Sequence, residues 1–418
     1  LAPDHKADAF QPEVSPPVGR IDSIIRSTLD GFHKWDAKYF VYIAEHGYET
    51  ENTFAFFPLL PTSCWGIASA FRLVSHVLSF HTCCLLSAYW LNTNAFIWAA
   101  VAIYDLTMLV FHDKKFAFLA SLCFSCNPAS IFFSSCYTES LFALFLFKGL
   151  ISLLHNKMGL SSLWFALASC TRSNGTINAG FIAFYSLKTA LDNKITGLDL
   201  IKHFLKHFIY CLIVLVPFCL FNLYGYVKFC TKYYEKDPNI SPPVWCNNSL
   251  PSIYNYIQKH NWGLGLFEYY KSRKIPNFLL ALPVVFLTAI SIFPYFLKRY
   301  SEIFSLGLPF KGLVNPVMCK NDLIFTSRNL FCFICHLAFL VTFALCFMHV
   351  EVVTRMAMSS SPLPYWFTAS YLYPCIDDIR FDWNTWKRLS TPAKFVVVYF
   401  FSYFFIGTVL HVNFLPWT

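Results

Sequence analysis

The sequence predicts an all-α polytopic membrane protein, a single membrane domain over residues 1–418. Three observations carry that expectation. Hydrophobic residues make up 56% of the chain and charged residues only 13%, about half the charge of a soluble globular protein. The 47 Phe leave too little polar surface for a water-soluble body of this size. Apolar runs long enough to cross about 30 Å of hydrocarbon recur along the chain, and basic clusters separate them. A disordered chain, a nucleic-acid module and an ordinary cytosolic enzyme are excluded on these grounds. The net charge of +9 reads as cytoplasmic loop charge, so no nucleic-acid partner is expected.

The first 20 residues are polar and Pro-rich, with no apolar core and no signal peptide. The expectation is that a further membrane helix precedes Leu1. Three runs carry no charge: residues 83–104, 208–227 and 276–297. Residues 329–350 carry only His336 and His349, and residues 395–412 only His411. Shorter apolar stretches lie at 116–125, 141–154, 160–170, 177–187 and 362–373. Basic clusters fall at residues 112–115, at Lys157, and within 188–206, 298–320 and 387–394. Placing all five on the cytosolic side leaves two apolar runs in each interval and gives about ten crossings, an eleventh lying before Leu1. Residues 21–79, 127–138, 171–176, 228–275, 351–361 and 413–418 then share the opposite face. Residues 54–78 are apolar but broken by Pro58, Pro61 and Arg72. A crossing there would put the 112–115 cluster on the wrong face, so this segment is expected to lie on the membrane surface.

Most of the 16 Cys, such as Cys332, Cys335 and Cys346, sit in apolar runs and read as small hydrophobes. No metal site is expected. The polar segment 228–275 holds Cys230 and Cys246, a candidate lumenal disulfide; the alternative is two free thiols at the membrane edge. The same segment carries glycosylation triplets at Asn239 and Asn247.

In so apolar a chain, ionisable residues near the membrane are the informative ones, and they collect on the non-cytosolic face. The first group is Trp35-Asp36 with Glu45-His46-Gly47-Tyr48, followed by Phe56-Phe57-Pro58. A carboxylate among aromatic rings suits a general base. An interfacial amphipathic helix with solvated charges explains the same residues. The second group runs from Asn127-Pro128 to Tyr137-Thr138-Glu139; its acid is either functional or a partner of the helix dipole. The third is Arg172-Ser173-Asn174-Gly175, where the Arg either grips a phosphate or snorkels from a helix end. Acids, an Arg and aromatic lining on one face fit transfer from a lipid-phosphate donor; they fit a transporter vestibule equally.

Taken together, these motifs resemble the PIG-V family of GPI mannosyltransferases. Further pieces of the resemblance are Asn52-x-Phe54-Ala55-Phe56-Phe57-Pro58, Tyr254-x-Tyr256-Ile257-Gln258, Tyr269-Tyr270, Ile275-Pro276-Asn277 and the closing Asn413-Phe414-Leu415-Pro416-Trp417. The family implies a GT-C glycosyltransferase of the endoplasmic reticulum membrane, with its active site on the lumenal face. It implies transfer of mannose from dolichol-phosphate-mannose to a mannosylated GPI precursor lipid as an α-1,6-linked second mannose. No cofactor is implied, and an accessory subunit is left open. Asp36 becomes the expected general base, with His46 a second proton carrier. Arg172 would stabilise the departing phosphate, and Glu139 and Glu45 would orient sugar hydroxyls or Arg172. Trp35, Phe57, Tyr137, Asn174, Tyr256 and Gln258 are expected to contact substrate. One position departs from the pattern: Tyr39 stands where a His is expected. A phenol titrates near 10 rather than 6.5, which puts proton carriage there in doubt.

Overall fold

The computed structural model describes residues 10–74, 77–231, 242–298, 305–308, 330–375, 383–415 and 417. Among them the regular structure is entirely helical. Four helices are long and apolar enough to cross a membrane: Phe80–Phe111, Gly197–Thr231, Ser272–Leu297 and Thr391–Val412. The other six apolar runs also form helices, of 10 to 17 residues. A 12-residue helix is only about 18 Å long, so length and composition alone do not count such helices as crossings.

Seventeen α-helices are numbered here in chain order. On the amino-terminal side lie α1 (Arg20–Leu29), α2 (Ala37–His46) and α3 (Leu59–Val74). Burial of α3 is one-sided: Leu60, Cys64 and Ala68 recur every four residues on the packed face, whereas Trp65 and Phe71 are more than half exposed. The bundle begins with α4 (Phe80–Phe111), which Ser79 caps by accepting from the Thr82 N–H. A sharp turn leads to α5 (Lys114–Ser125), capped by Asp113, and the short α6 (Ser130–Ser134) follows. Next come α7 (Glu139–Leu154), α8 (Met158–Thr171), α9 (Ala179–Asp192) and α10 (Gly197–Tyr226). α7 packs on α4 and α8, and α8 packs on α10. After α11 (Ile253–His260) come α12 (Ile275–Lys298) and α13 (Phe331–Phe347). The last four are α14 (Val353–Ser360), α15 (Leu363–Leu372), α16 (Trp383–Arg388) and α17 (Thr391–Val412).

Two polar contacts fix which helix ends lie together. The Tyr373 hydroxyl donates to Asp113 Oδ2 at 2.7 Å, and Lys115 Nζ sits 4.6 Å from the Tyr373 ring centroid. The α4–α5 turn and the end of α15 therefore share one end of the bundle. At another position, α14 packs against α7 and α13. That contact carries residues 353–360 onto the first turn of α7 and creates the site described next.

Candidate active site

Asp36 occupies the N-cap of α2, but its side chain makes no capping bond. An Asp there ordinarily accepts from an N–H of the first turn. Here the carboxylate is committed elsewhere: Oδ2 accepts from Arg355 Nη2 at 3.0 Å, and the side chain remains 33% exposed. The preceding residue is forced. Trp35 has φ +56, a left-handed conformation that costs a non-glycine residue energy. The Trp35 ring packs on Phe414, 5.5 Å between centroids, and Phe414 is itself left-handed with φ +55. The closing Asn413-Phe414-Leu415 motif thus buttresses the corner that presents Asp36. The Asp36 N–H donates to the Tyr137 hydroxyl at 3.2 Å, and that hydroxyl donates to the Lys34 carbonyl at 3.3 Å. Burial and the Asp36 charge both push the Tyr137 phenol up.

Glu139 opens α7 and has no exposed surface. Its Oε1 pairs with Arg172 Nη1 and lies 3.8 Å from Arg355 Nη1. Its Oε2 is buried without a hydrogen-bond partner among the described residues. Two carboxylates and two guanidiniums therefore form one charge-balanced cluster around the fully buried Glu139. Arg172 leaves the end of α8 in extended backbone and begins a 3-10 turn, Ser173–Asn178. Gly175 is required in that turn: a Cβ there would meet the Ser169 nitrogen at 2.5 Å and the Ala168 carbonyl carbon at 2.6 Å. The Ser173 and Tyr254 hydroxyls lie 2.7 Å apart, and Asn174 donates to Ser360 Oγ at 2.9 Å.

A cavity of about 650 Å³ lies over this group. Asp36, Phe57, Tyr137, Glu139, Arg172, Asn174 and Gln258 line it, together with Arg355, Lys259 and His349. Its other wall is apolar: Phe218 from α10, and Phe339, Phe343 and Phe347 from α13. Those three Phe rings stack in a ladder at 5.8 and 5.0 Å and are each at least 41% exposed. The cavity thus joins a charged end to an aromatic flank. Among the described residues, no group of three or more His, Cys, Asp or Glu is placed to hold a metal ion.

A family model described as Mannosyltransferase (PIG-V) matches residues 1–418. The chain belongs to the PIG-V mannosyltransferase family. It is accordingly a glycosyltransferase that moves mannose. The GPI alpha-1,6-mannosyltransferase 2 of Rattus norvegicus is 35% identical, and the Homo sapiens protein of the same name 34%, over all of this chain and 94% of each relative. The GPI mannosyltransferase 2 of Drosophila melanogaster is 30% identical, with the same coverage. Among solved structures, an oligosaccharyltransferase of Archaeoglobus fulgidus in the apo form is similar at TM-score 0.43 and 12% identity. That match covers 95% of this chain and 56% of the archaeal one.

Four residues singled out from the PIG-V motifs lie outside the cavity lining. Glu45 follows Asp36 by nine positions, about 180° around a helix, and faces α4, with Oε1 3.0 Å from His81 Nδ1. His46 is exposed and stacks on Tyr42 at 4.7 Å. Trp35 packs on Phe414 at the corner that precedes Asp36. Tyr256 packs against His260 with tilted rings 4.5 Å apart; it sits two positions, about 200°, from Gln258, which does face the cavity. Tyr39 is packed between Phe10 and Phe56 at 4.1 and 4.5 Å, and burial with the Asp36 charge raises its phenol further. In the polar segment 228–275, Cys230 and Cys246 are joined, with Cα atoms 5.7 Å apart. Asn247 is exposed beside them, and Asn239 lies outside the described residues. Arg355 and Lys259 are charged cavity residues that the motifs missed. For Arg355, a charged side chain in the short break between two apolar runs was the available signal.

Proposed function

We propose that the chain is a dolichol-phosphate-mannose-dependent α-1,6-mannosyltransferase that adds the second mannose to a GPI precursor at the lumenal face of the endoplasmic reticulum membrane. The observation that carries this reading is Asp36: an N-cap carboxylate, unspent in capping, on the wall of a cavity with a charged end and an apolar flank. The names of the rat and human relatives supply the linkage. The ten-crossing GT-C topology, the glycan at Asn247 and the lumenal orientation belong to the same reading.

The donor is a β-linked phosphate and the product an α-glycoside, so the reaction is a single inverting displacement. The acceptor 6-hydroxyl oxygen attacks C1 as the C1–O bond to phosphate breaks. Asp36 takes the hydroxyl proton, and dolichyl phosphate leaves with the bonding pair, needing no proton of its own. Arg172 faces the developing phosphate charge. Glu139 holds Arg172 through Oε1 and offers Oε2 to a sugar hydroxyl. The polyprenyl chain runs along the Phe339–Phe343–Phe347 ladder into the lipid. No cofactor takes part.

The test is rescue of cells lacking the second GPI mannose, with the full-length protein and its Asp36→Asn variant at equal level. Wild type should consume the one-mannose intermediate and Asp36→Asn should leave it. Near wild-type transfer by Asp36→Asn removes the base assignment. Failure of wild type to consume that intermediate removes the acceptor assignment.

A further inference from the structure

Arg355 stands on the first turn of α14, and its side chain is 16% exposed. It has contacts on four sides. Nη2 donates to Asp36 Oδ2 at 3.0 Å, and Nη1 lies 3.8 Å from Glu139 Oε1. The guanidinium carbon sits 5.2 Å from the Phe132 ring centroid and 5.5 Å from that of Tyr137. A planar group held by two rings and two carboxylates has one orientation available.

The base of α14 is held in turn. Four residues before Arg355, Glu351 Oε1 accepts from the Tyr269 hydroxyl at 2.6 Å and from Asn277 Nδ2. Asn277 also donates to the Tyr269 hydroxyl at 2.7 Å, and Lys274 Nζ approaches Glu351 at 3.6 Å. Asn277 is 5% exposed. Tyr269 and Asn277 come from the Tyr269-Tyr270 and Ile275-Pro276-Asn277 motifs, which the reaction as written does not use.

We propose that Arg355 is a positioning residue that fixes the orientation of the Asp36 carboxylate, so that its other oxygen is presented to the acceptor hydroxyl, and that the Glu351–Tyr269–Asn277 knot is its mount. The inference rests on Asp36 as base. An Asp carboxyl rotates broadly about its last torsion, and this one has no capping bond to restrain it. The bond from Arg355 selects one rotamer. It occupies Oδ2 and leaves the other oxygen for the proton, whose transfer requires a hydrogen-bond distance to the acceptor. Because Arg355 touches the base rather than the bound lipids, its loss should lower kcat and spare both KM values.

The experiment measures full-length protein in membranes with dolichyl-phosphate-mannose and a one-mannose GPI acceptor. Wild type, Arg355→Met, Arg355→Lys, Glu351→Gln and Asp36→Asn are compared. Arg355→Met should lose about 100-fold in kcat, the scale of a misplaced reacting group, with each KM within about twofold. Arg355→Lys keeps the charge without the fixed fork, so it should recover about tenfold of that loss. Glu351→Gln, outside the cavity, should lower kcat with the same unchanged KM values, and it stands in if the Arg355 variants do not accumulate. A rise in donor KM with kcat retained would make Arg355 a phosphate ligand and overturn the proposal. So would wild-type kinetics in the Arg355 variants or in Glu351→Gln while Asp36→Asn is inactive. An active Asp36→Asn instead overturns the base reading beneath it.

Discussion

Replacing Glu139 by Gln keeps the side-chain volume and removes the charge of a carboxylate that has no exposed surface. Glu139 and Asp36 together balance Arg172 and Arg355. After the substitution, two guanidiniums share one carboxylate, and the cluster carries a net positive charge. Taking one partner from a buried ion pair costs about 3–5 kcal/mol. The Gln carbonyl still accepts one of the hydrogen bonds, so the lower value, about 3 kcal/mol, applies. A chain of 418 residues with an unfolding entropy of about 2.1 cal/mol/K per residue should then lose about 3–4 °C in Tm. The assay is thermal unfolding of the purified protein in lipid nanodiscs by tryptophan fluorescence, with mannosyl transfer measured on the same preparation. Transfer should fall at least about tenfold, since Arg172 loses its anchor beside the departing phosphate. A variant with unchanged Tm and full transfer would refute the electrostatic coupling.

Gly175→Ala should destabilise by about 1–3 kcal/mol, because the new Cβ meets backbone atoms of Ser169 and Ala168, which no rotamer change can relieve. Displacement of the Arg172–Asn174 turn should weaken donor use as well; a Gly175→Ala protein with wild-type Tm and donor KM would contradict the packing. The third prediction concerns acid. Burial, reinforced by His81, Lys38 and Lys34, holds the His33 imidazole down to about 3, whereas an unfolded His titrates near 6.5. A lowered folded value means that stability is fully present above pH 6.5. As pH falls from 6.5 toward 3, the unfolded chain binds a proton that the folded one refuses, and stability drops by up to about 1.4 kcal/mol per pH unit. His33→Gln should flatten the Tm profile between pH 6.5 and 4; parallel profiles would show that His33 does not contribute.

The helices were legible because their causes are local. Each of the ten apolar runs became a helix, and Ser79, Asp113 and Ser390 cap helices at the polar breaks. Their lengths were less legible. Phe80–Phe111 extends beyond the uncharged run on both sides, since a helix continues through Asp105 where no breaker intervenes. Lys114–Ser125 stops after 12 residues. Length therefore followed caps and turns rather than hydrophobicity.

By itself, the sequence determined the membrane character, the family, and seven of the cavity-lining residues among those it singled out, from Asp36 to Gln258. Helical periodicity also separates Asp36 from Glu45 and Gln258 from Tyr256, because opposite faces of one helix cannot line one cavity. Only the tertiary structure decided what those residues meet. Asp36 and Arg355 are 319 positions apart, and no spacing rule reaches beyond the next turn or two of a helix. Their meeting depends on α14 packing against α7 and on a left-handed corner at Trp35 braced by Phe414 from the far end of the chain. Local sequence sets backbone preference and polarity. Which carboxylate finds which guanidinium is set by packing, because burying either one without the other costs about 3–5 kcal/mol, a large share of a net stability of about 5–15 kcal/mol.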